Sequence, residues 1–343
     1  MSSKRILVTG GCGYIGSHTL VDLIENGFDV ISVDDLSNSD DSVLQGVQAI
    51  TGISVVNHKV DISDAEACKL LFKNVGKVDG IIHFAAHKSV GESVEQPLKY
   101  YLNNVNSLIN LLQGVKDYQI PYFIFSSSCS VYGNPDALPV TEETPMKYAE
   151  SPYAYTKQIG ERIIQDVAAI ENQTKYILLR YFNPAGAHDS GVIGEQPINK
   201  ASNLVPVITE TALGKRDKMM VFGSDYPTRD GTCIRDYIHV MDLAHAHTLA
   251  LVRLIKNVDA PSCDIFNLGI GEGATVKECI DAFMRVTGKP LNVEMAPRRA
   301  GDVVAVYADN TKAREILGWL PSKSIDDIML SAWKWELKRS GEG

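Results

Sequence analysis

Short apolar segments alternate with amphipathic segments along the first half of the chain. The apolar segments, which are typical of buried strands, lie at 5–9, 29–34, 54–60, 80–84, 122–126 and 176–180. Segments with helical periodicity lie between them, at 14–26, 64–72, 98–116 and 155–169. Repeated strand–helix units predict a parallel sheet with helices on both faces, joined by right-handed connections. We therefore predict an α/β fold of the Rossmann type, with a doubly wound parallel sheet.

The alternation of strand and helix patterns becomes less regular after Asn183. Prolines, glycines and polar residues interrupt 184–236, and strand–helix signals return at 237–250 and 265–268. We predict a Rossmann domain over residues 1–183 that also receives elements from about 237–270. The rest of 184–343 is expected to form a smaller, mixed but mostly helical C-terminal lobe that binds substrate over the carboxyl ends of the strands.

Composition and charge exclude several classes of protein. Hydrophobic residues make up 45% and charged residues 22% of the 343 residues, which is typical of a globular protein. A net charge of −9 argues against a nucleic-acid binder that relies on phosphate contacts. Six scattered cysteines without a C-x-x-C pair indicate reduced thiols. Since neither a membrane-spanning run nor a signal-peptide core is present, we expect a cytoplasmic protein.

A glycine-rich turn follows the first predicted strand and opens the first helix. Gly10, Gly13 and Gly16 form G-x-x-G-x-x-G, whose first spacing is one residue longer than that of the common G-x-G-x-x-G motif. Glycines permit a tight turn and close backbone approach to a pyrophosphate, and the helix N-terminus supplies free N–H groups. The turn therefore predicts a dinucleotide site, which includes Tyr14 and Ile15.

Asp34 at the end of the second strand supports this prediction. It follows Gly16 by 18 residues, close to the spacing of the acidic residue that accepts hydrogen bonds from the adenosine ribose. The segment 35–39 has no Arg or Lys for a 2′-phosphate, so NAD is favoured over NADP. The other residues assigned to this end of the cofactor are Asn38, Ser39, Asp61 and Ile62. For Asp61, a turn that starts the next helix is an equally good interpretation.

A serine, a tyrosine and a lysine form a candidate acid–base group. Ser128 follows the fifth strand, while Tyr153 and Lys157 are four residues apart and share one helical face. A free tyrosine, with a pKa near 10, is a poor base at neutral pH, but a neighbouring ammonium favours its phenolate. We therefore predict that these three residues act on one reacting hydroxyl. Tyr155, two residues from Lys157, points to a different face.

Nine motifs extend this pattern over almost the whole chain. They are GGCGYIGSH (10–18), DDLSNS (34–39), HFAAHKSVGESVEQPL (83–98), NNVNS (103–107), FSSSCSVYG (125–133), SPYAYTK (151–157), LRYFNPAGAH (179–188), DYPTRDGTCIRDYIHVMDLA (225–244) and APRRAGD (296–302). In order and spacing they resemble the extended short-chain dehydrogenase/reductase family. Within that family, the chain is most similar to the branch that epimerises UDP-hexoses at C4.

The resemblance implies roles for further residues. It assigns to the nicotinamide end of NAD the residues Phe84, Ala85, Ala86, Lys88, Asn103 and Phe182, together with Ser128, Tyr153 and Lys157. It assigns to the UDP-sugar the residues Lys88, Ser128, Tyr153, Asn183, Asn203, Leu204, Phe222, Arg235, Tyr237, Arg299, Asp302 and Val306. Guanidinium groups such as those of Arg235 and Arg299 suit a diphosphate. Val306 stands where many bacterial relatives carry a tyrosine, which leaves room for an N-acetylated sugar.

The implied activity is the interconversion of UDP-glucose and UDP-galactose through a 4-keto sugar. NAD is retained and regenerated in each turnover. If the sugar pocket is wide, the same reaction is expected for UDP-GlcNAc and UDP-GalNAc. The resemblance also implies a homodimer that pairs the helices at 98–116 and 155–169.

Two alternative functions remain. A dehydratase or decarboxylase of the same family is one, although a dehydratase is expected to carry Asp-Glu where this chain has Cys129-Ser130. The other is a non-enzymatic NAD-sensing protein. His239, His245 and His247 lack the spacing of a metal site, and we expect no metal.

Overall fold

The computed structural model describes residues 3–171, 173–198, 201–256, 260–298 and 303–342. The strands are β1 (Arg5–Thr9), β2 (Asp29–Val33), β3 (Asn57–His58), β4 (Gly80–His83), β5 (Tyr122–Ser128), β6 (Lys175–Tyr181), β7 (Asn183–Ala185), β8 (Met219–Phe222), β9 (Ile234–Arg235), β10 (Tyr237–His239), β11 (Cys263–Leu268), β12 (Ala274–Thr275), β13 (Val293–Ala296) and β14 (Ala305–Val306). The helices are α1 (Tyr14–Glu25), α2 (Val43–Thr51), α3 (Ala65–Asn74), α4 (Val90–Glu95), α5 (Pro97–Tyr100), α6 (Asn106–Asp117), α7 (Pro152–Ile170), α8 (Leu204–Ala212), α9 (Val240–Lys256), α10 (Val276–Thr287) and α11 (Ile325–Ser340).

A seven-stranded parallel sheet organises the molecule. Its strand order is β11-β6-β5-β4-β1-β2-β3, so β1 lies between β4 and β2 and the order reverses at that point. Helices cover both faces: α1 and α9 pack together on one, while α3 and α6 pack together over the other. This confirms the predicted α/β, doubly wound fold. Ligands of such sheets bind at the reversal, outside the carboxyl ends of the strands.

The central strands are buried on both faces. All four residues of β4 are buried, and so are the five central residues of β5. Continuous apolar runs of this kind are typical of parallel strands between two helical layers. The polar residues Ser126, Ser127 and Ser128 occupy the carboxyl end of β5, so the apolar strand brings hydroxyl groups to the edge where a ligand would bind.

Elements from the second half of the chain complete the large sheet. Strand β11 pairs with β6 in parallel over six residues, from Cys263 opposite Tyr176 to Leu268 opposite Tyr181. The remaining elements, with α8, α10 and α11, enclose a separate apolar cluster. Three small sheets of the described chain pair β10 with β7, β13 with β8, and both β12 and β14 with β9. Within the described residues, no helix is both long and apolar enough to cross a membrane.

The structure differs in local detail from the predicted elements at three places. The helix predicted at 98–116 is divided, because a π-helical turn at Tyr101–Val105 separates α5 from α6. The third strand contracts to β3, since only two of its residues pair with β2. The segment 275–338 is mostly helical, but it also contains β13 and β14, which each find parallel partners far away in the chain. Strands of two to four residues carry too little alternation for a local pattern to reveal them.

Candidate functional site

The glycine turn between β1 and α1 lies at the reversal of the sheet. Gly10 has a φ of +69°, and a Cβ there would lie 2.8 Å from the amide nitrogen of Ala85. A Cβ on Gly16 would lie 2.1 Å from the carbonyl oxygen of Gly10. Only glycine fits these two positions, and the turn thus leaves bare backbone at the N-terminus of α1. That geometry fits a bound pyrophosphate.

Asp34 lies beside this turn, directly after β2. Its carboxylate accepts hydrogen bonds from the amides of Cys12 and Leu36, at 3.1 and 3.0 Å, and from the Ser39 hydroxyl at 2.6 Å. These contacts fix the carboxylate next to the glycine turn, which is the position that a ribose-binding acid requires. Asn38 is exposed on the same loop.

The next two predicted residues have different surroundings. Asp61 is exposed, and its carboxylate accepts from the amide and hydroxyl of Ser63, at 2.8 and 2.7 Å. The N-cap of α3 is Asp64, so Asp61 shapes the turn before the helix. Ile62 is buried in the core beneath the sheet, and its carbonyl accepts from Asn110. Its backbone, and not its side chain, is therefore what a ligand could reach.

The three predicted catalytic residues lie close together at the carboxyl end of β5. The Lys157 ammonium donates to the carbonyl of Ser126 at 2.7 Å and lies 6.0 Å from the centre of the Tyr153 ring. Burial raises the pKa of Tyr153 to about 12, although its hydrogen bond with Ser128 acts in the opposite direction. Burial lowers the pKa of Lys157 to about 8. The site thus holds a buried phenol and a buried ammonium close to each other.

The segment after β4 borders this group. The Ala85 amide donates to the Thr9 hydroxyl at 3.3 Å, and the Phe84 ring packs on His247 with a centroid distance of 4.7 Å. Asn104 bonds to the backbone of His87 in both directions and also donates to Thr156 on α7. Ala86 lies half-buried on this segment, and the Asn103 side-chain amide donates to the side-chain oxygen of Asn104. The segment after β4 therefore connects the glycine turn with helix α7, which carries Tyr153 and Lys157.

Glu195 is a residue of this cleft that the sequence analysis missed. Its carboxylate accepts from Asn203 at 2.8 Å and forms an ion pair with Lys88 at 3.5 Å. Its charge also helps burial to raise the pKa of Tyr14, whose hydroxyl donates to the Gly186 carbonyl. Glu195 thus connects two predicted ligand-binding residues from distant parts of the chain. A lone glutamate in a glycine-rich loop gives no sequence signal for this role.

The small lobe contributes further predicted residues. Strands β9 and β14 place Arg235 opposite Val306. Val306 is buried in one cluster with Phe182 and Tyr132. The side-chain oxygen of Asn183 is buried without a hydrogen-bond partner, and such an atom is costly unless a ligand satisfies it. The structure therefore brings these residues to the same edge as the β5 hydroxyls.

Three further predicted substrate residues lie on elements of the small lobe. Phe222 ends β8 and is 38% exposed, and Leu204 starts α8 half-buried. The Tyr237 ring is buried in the small-lobe core, where burial and its contact with Cys279 raise its pKa. Arg299 and Asp302 lie outside the described residues.

Asp236 is the second residue that the sequence analysis missed. Its buried carboxylate accepts from the amides of Ile270, Gly271 and Ala308 at 2.7, 3.1 and 3.1 Å. A Cβ on Gly269 would lie 2.3 Å from the same carboxylate, which explains the glycine there. Asp236 therefore ties the strand that carries Arg235 to the segment that follows Val306.

The histidines and the cysteine near the site have other partners. His239 is hydrogen-bonded to Ser331 at 3.1 Å, His245 lies 3.2 Å from Asp22, and His247 is hydrogen-bonded to the Leu243 carbonyl. In the part of the chain that the structure describes, three or more potential ligands do not gather around a metal position. Burial raises the pKa of Cys129 to about 12, so this residue stays a thiol.

Comparison with known proteins gives a consistent result. Residues 7–331 match the GDP-mannose 4,6 dehydratase family. The UDP-glucose 4-epimerase of Schizosaccharomyces pombe is 46% identical over 97% of this chain and 94% of its own length. That of Bacillus subtilis is 43% identical over 96% of each chain.

Two solved structures share the whole fold. The UDP-glucose 4-epimerase of Stenotrophomonas maltophila, with bound NAD and formylated UDP-arabinopyranose, has a TM-score of 0.95 at 42% identity and covers 99% of this chain and 100% of its own. The enzyme of Bifidobacterium longum, in complex with NAD⁺ and UDP, has a TM-score of 0.93 at 42% identity, with the same coverage. In both relatives, a dinucleotide and a uridine nucleotide bind to this fold.

The glycine turn makes a testable prediction. In Gly16→Ala, the added methyl group meets the Gly10 carbonyl, and we expect the affinity for the dinucleotide to fall by about 10- to 100-fold. The measurement is the amount of dinucleotide released when the purified protein is denatured. Gly91→Ala, where a methyl group meets nothing within 4 Å, is the matched control and should retain the dinucleotide. Full retention by Gly16→Ala would contradict the assignment.

Proposed function

Because this chain belongs to the family of UDP-glucose 4-epimerases, we propose that it interconverts UDP-glucose and UDP-galactose at C4 with NAD as a retained cofactor. The observation that carries the proposal is the meeting of Ser128, Tyr153 and Lys157 beside the glycine turn, at the edge where Arg235 and Asn183 approach from the small lobe.

The side chains divide the reaction between them. Bound NAD⁺ supplies a reversible hydride acceptor for C4 of the sugar. Tyr153 takes the proton of the 4-hydroxyl group, and Ser128 orients its phenolic oxygen. The ammonium of Lys157 favours the phenolate, which burial alone disfavours. Tyr153 returns the proton when the 4-keto sugar is reduced, so the overall reaction has no redox change.

Epimerisation also needs the sugar to present both of its faces. This requires strong contacts to the nucleotide and weak contacts to the hexose. We assign the diphosphate to Arg235, the sugar to Asn183 and Val306, and further polar contacts to Lys88 and Asn203. The ion pair of Lys88 with Glu195 and the hydrogen bond from Asn203 hold those two side chains in position before substrate arrives.

The alternatives have less support. Dehydration needs an additional acid and base beside the serine, but Cys129 is a thiol whose pKa burial raises to about 12, and Ser130 is no stronger an acid. A protein that only senses NAD would not need a buried ammonium at the end of β5. Epimerisation uses Ser128, Tyr153 and Lys157 together.

We also assign the protein to the cytoplasm and to a homodimer. All six cysteines are free thiols, which suits a reducing compartment. An exposed apolar row extends along α4 to α6. It consists of Val94, Leu98, Leu102 and Ile109, which are between 47% and 72% exposed. Tyr155 on α7 is 49% exposed and lies edge-on to Tyr101 beside that row. Two copies that pair these helices would bury this surface.

Turnover of UDP-galactose tests the proposed function directly. We expect the purified protein to form UDP-glucose without added NAD, as followed by chromatography. Tyr153→Phe removes the acid–base group and should lower kcat by about 10² to 10⁴. Tyr155→Phe is the matched control. Because Tyr155 lies on a different face of the same helix, this variant should keep parental kcat. Formation of a 4-keto-6-deoxy sugar instead of UDP-glucose would refute epimerisation.

The size of the sugar pocket makes a second prediction. Because Val306 is smaller than tyrosine, we expect the protein to turn over UDP-N-acetylglucosamine as well as UDP-glucose. Val306→Tyr fills the space beside Phe182 and should remove most of the activity on the acetylated sugar while the activity on UDP-glucose persists. The two rates are measured on the same preparations. A negligible parental rate on the acetylated sugar would exclude this wider specificity.

The homodimer makes a third prediction. Leu98→Glu places a charge in the exposed apolar row and should convert the dimer to a monomer, because a charge at the centre of an apolar interface is left without a partner. Sedimentation velocity measures the mass. Leu320→Glu, at a leucine that is 67% exposed elsewhere on the surface, is the matched control and should remain dimeric. A monomeric parent protein would contradict the proposed interface.

A further inference from the structure

A buried ion pair lies directly behind the catalytic residues. Arg180 on β6 donates to both carboxylate oxygens of Glu161 on α7, at 2.9 and 2.6 Å. The two side chains are 2% and 0% exposed. Ser127 on β5 donates a third hydrogen bond to the same carboxylate. Helix α7 and strand β5, which carry the three predicted catalytic residues, therefore meet β6 at one carboxylate.

The network continues away from the carboxylate. Arg180 donates to the hydroxyl of Tyr132 at 3.0 Å, and that hydroxyl donates to Asn267 on β11 at 2.6 Å. The guanidinium also lies 5.0 Å from the centre of the Tyr132 ring. Every polar group along this path has a partner, so the arrangement is rigid and its geometry is well defined.

Stability alone does not account for such a pair. Removing two charges from water costs several kcal/mol per ion, and replacing a buried pair by apolar residues is often neutral or stabilising. The positions of the neighbours suggest another role. Ser127 precedes Ser128, and Glu161 follows Lys157 by one helical turn on the same face.

We propose that Glu161 is a positioning residue of the epimerisation reaction: it holds Lys157 in its charged form and fixes α7 against β5, so that Tyr153 and Ser128 meet. This inference rests on the proposed function. Arg180 holds Glu161 in place through two hydrogen bonds, and both side chains lie behind the catalytic residues.

The groups around Lys157 are contributed by four elements. They are Tyr153 and Glu161 on α7, His83 on β4, Phe125 and Ser126 on β5, and Tyr181 on β6, which is hydrogen-bonded to Ser126. Burial lowers the pKa of His83 to about 3, so this histidine is neutral. Burial likewise lowers the pKa of Lys157, and the charge of Glu161 acts against that shift. Glu161 is thus a nearby negative charge that favours the protonated form of Lys157.

The direction of the effect on catalysis follows from these charges. Without the Glu161 charge, the pKa of Lys157 falls further and the ammonium is lost at a lower pH. Without the ammonium, the pKa of Tyr153 rises, because its phenolate has lost the neighbouring positive charge. The acid limb of the kcat/KM profile then moves to higher pH, since a higher pH is needed to form the phenolate.

Three variants test the proposal. Glu161→Gln should move the acid limb of kcat/KM up by about one pH unit and lower kcat at neutral pH by about 10-fold, with little change in KM. It should also lower Tm, because it leaves Arg180 unpaired. The double variant Glu161→Gln/Arg180→Met should regain much of that Tm yet keep the shifted acid limb. Arg180→Lys, which retains the carboxylate, should lower Tm while the acid limb stays in place.

Glu336 provides a matched control outside the site. Its carboxylate is 3% exposed and pairs with Lys215 and Arg339 at 2.8 and 2.7 Å in the small lobe. Glu336→Gln should lower Tm without moving the acid limb. This comparison separates the loss of a buried ion pair from the loss of the charge next to Lys157.

A readout independent of turnover completes the test. The ultraviolet absorbance of the Tyr153 phenolate, taken as the difference between each protein and its Tyr153→Phe form, should titrate at higher pH in Glu161→Gln. A double variant with parental kcat/KM profile and parental phenolate titration would overturn the proposal. If the parent protein does not turn over UDP-galactose, the proposed function fails, and the phenolate titration still decides the role of Glu161.

Discussion

The hydrogen bond from the Lys157 ammonium to the carbonyl of Ser126 is the contact on which the site depends. It joins the first turns of α7 to the carboxyl end of β5, where a continuous apolar strand ends in three serines. A buried ammonium needs such a partner, because desolvation otherwise favours the neutral amine. The contact thereby fixes both the place of Tyr153 and the charge beside it. The surrounding elements then supply cofactor and substrate contacts around a fixed centre.

Much of the fold and the centre of the site could be predicted from the sequence. The glycine turn, Asp34 and the pair Tyr153–Lys157 are local patterns, because each depends on spacing within one strand–turn–helix unit. Glu195, Asp236 and Glu161 could not be predicted in this way. Their partners lie far away in the chain, and single acidic residues occur throughout an acidic protein. The same reason explains β13 and β14, whose pairing depends on distant strands.

The two parts of the molecule contribute different kinds of contact. Strand β5 of the large sheet and helix α7 carry the residues that we propose to exchange a proton, and buried hydrogen bonds and one ion pair hold these two elements. The small lobe carries residues on short strands that are tied together through the Asp236 carboxylate. Rigid support behind the reacting group and fewer constraints around the hexose suit a reaction in which the sugar presents two faces in turn.

The return of β11 to the edge of the large sheet has a consequence for how the molecule comes apart. After β6 the chain enters the small lobe, comes back through α9 and β11, and leaves again towards α10 and α11. A single peptide-bond cleavage therefore cannot release either part intact. Because small-lobe elements follow β11 directly in the chain, unfolding of the small lobe should also destabilise the pairing of β11 with β6. Both parts should therefore unfold in one cooperative transition. Excision of an autonomous nucleotide-binding fragment would require the two crossing segments to be rejoined.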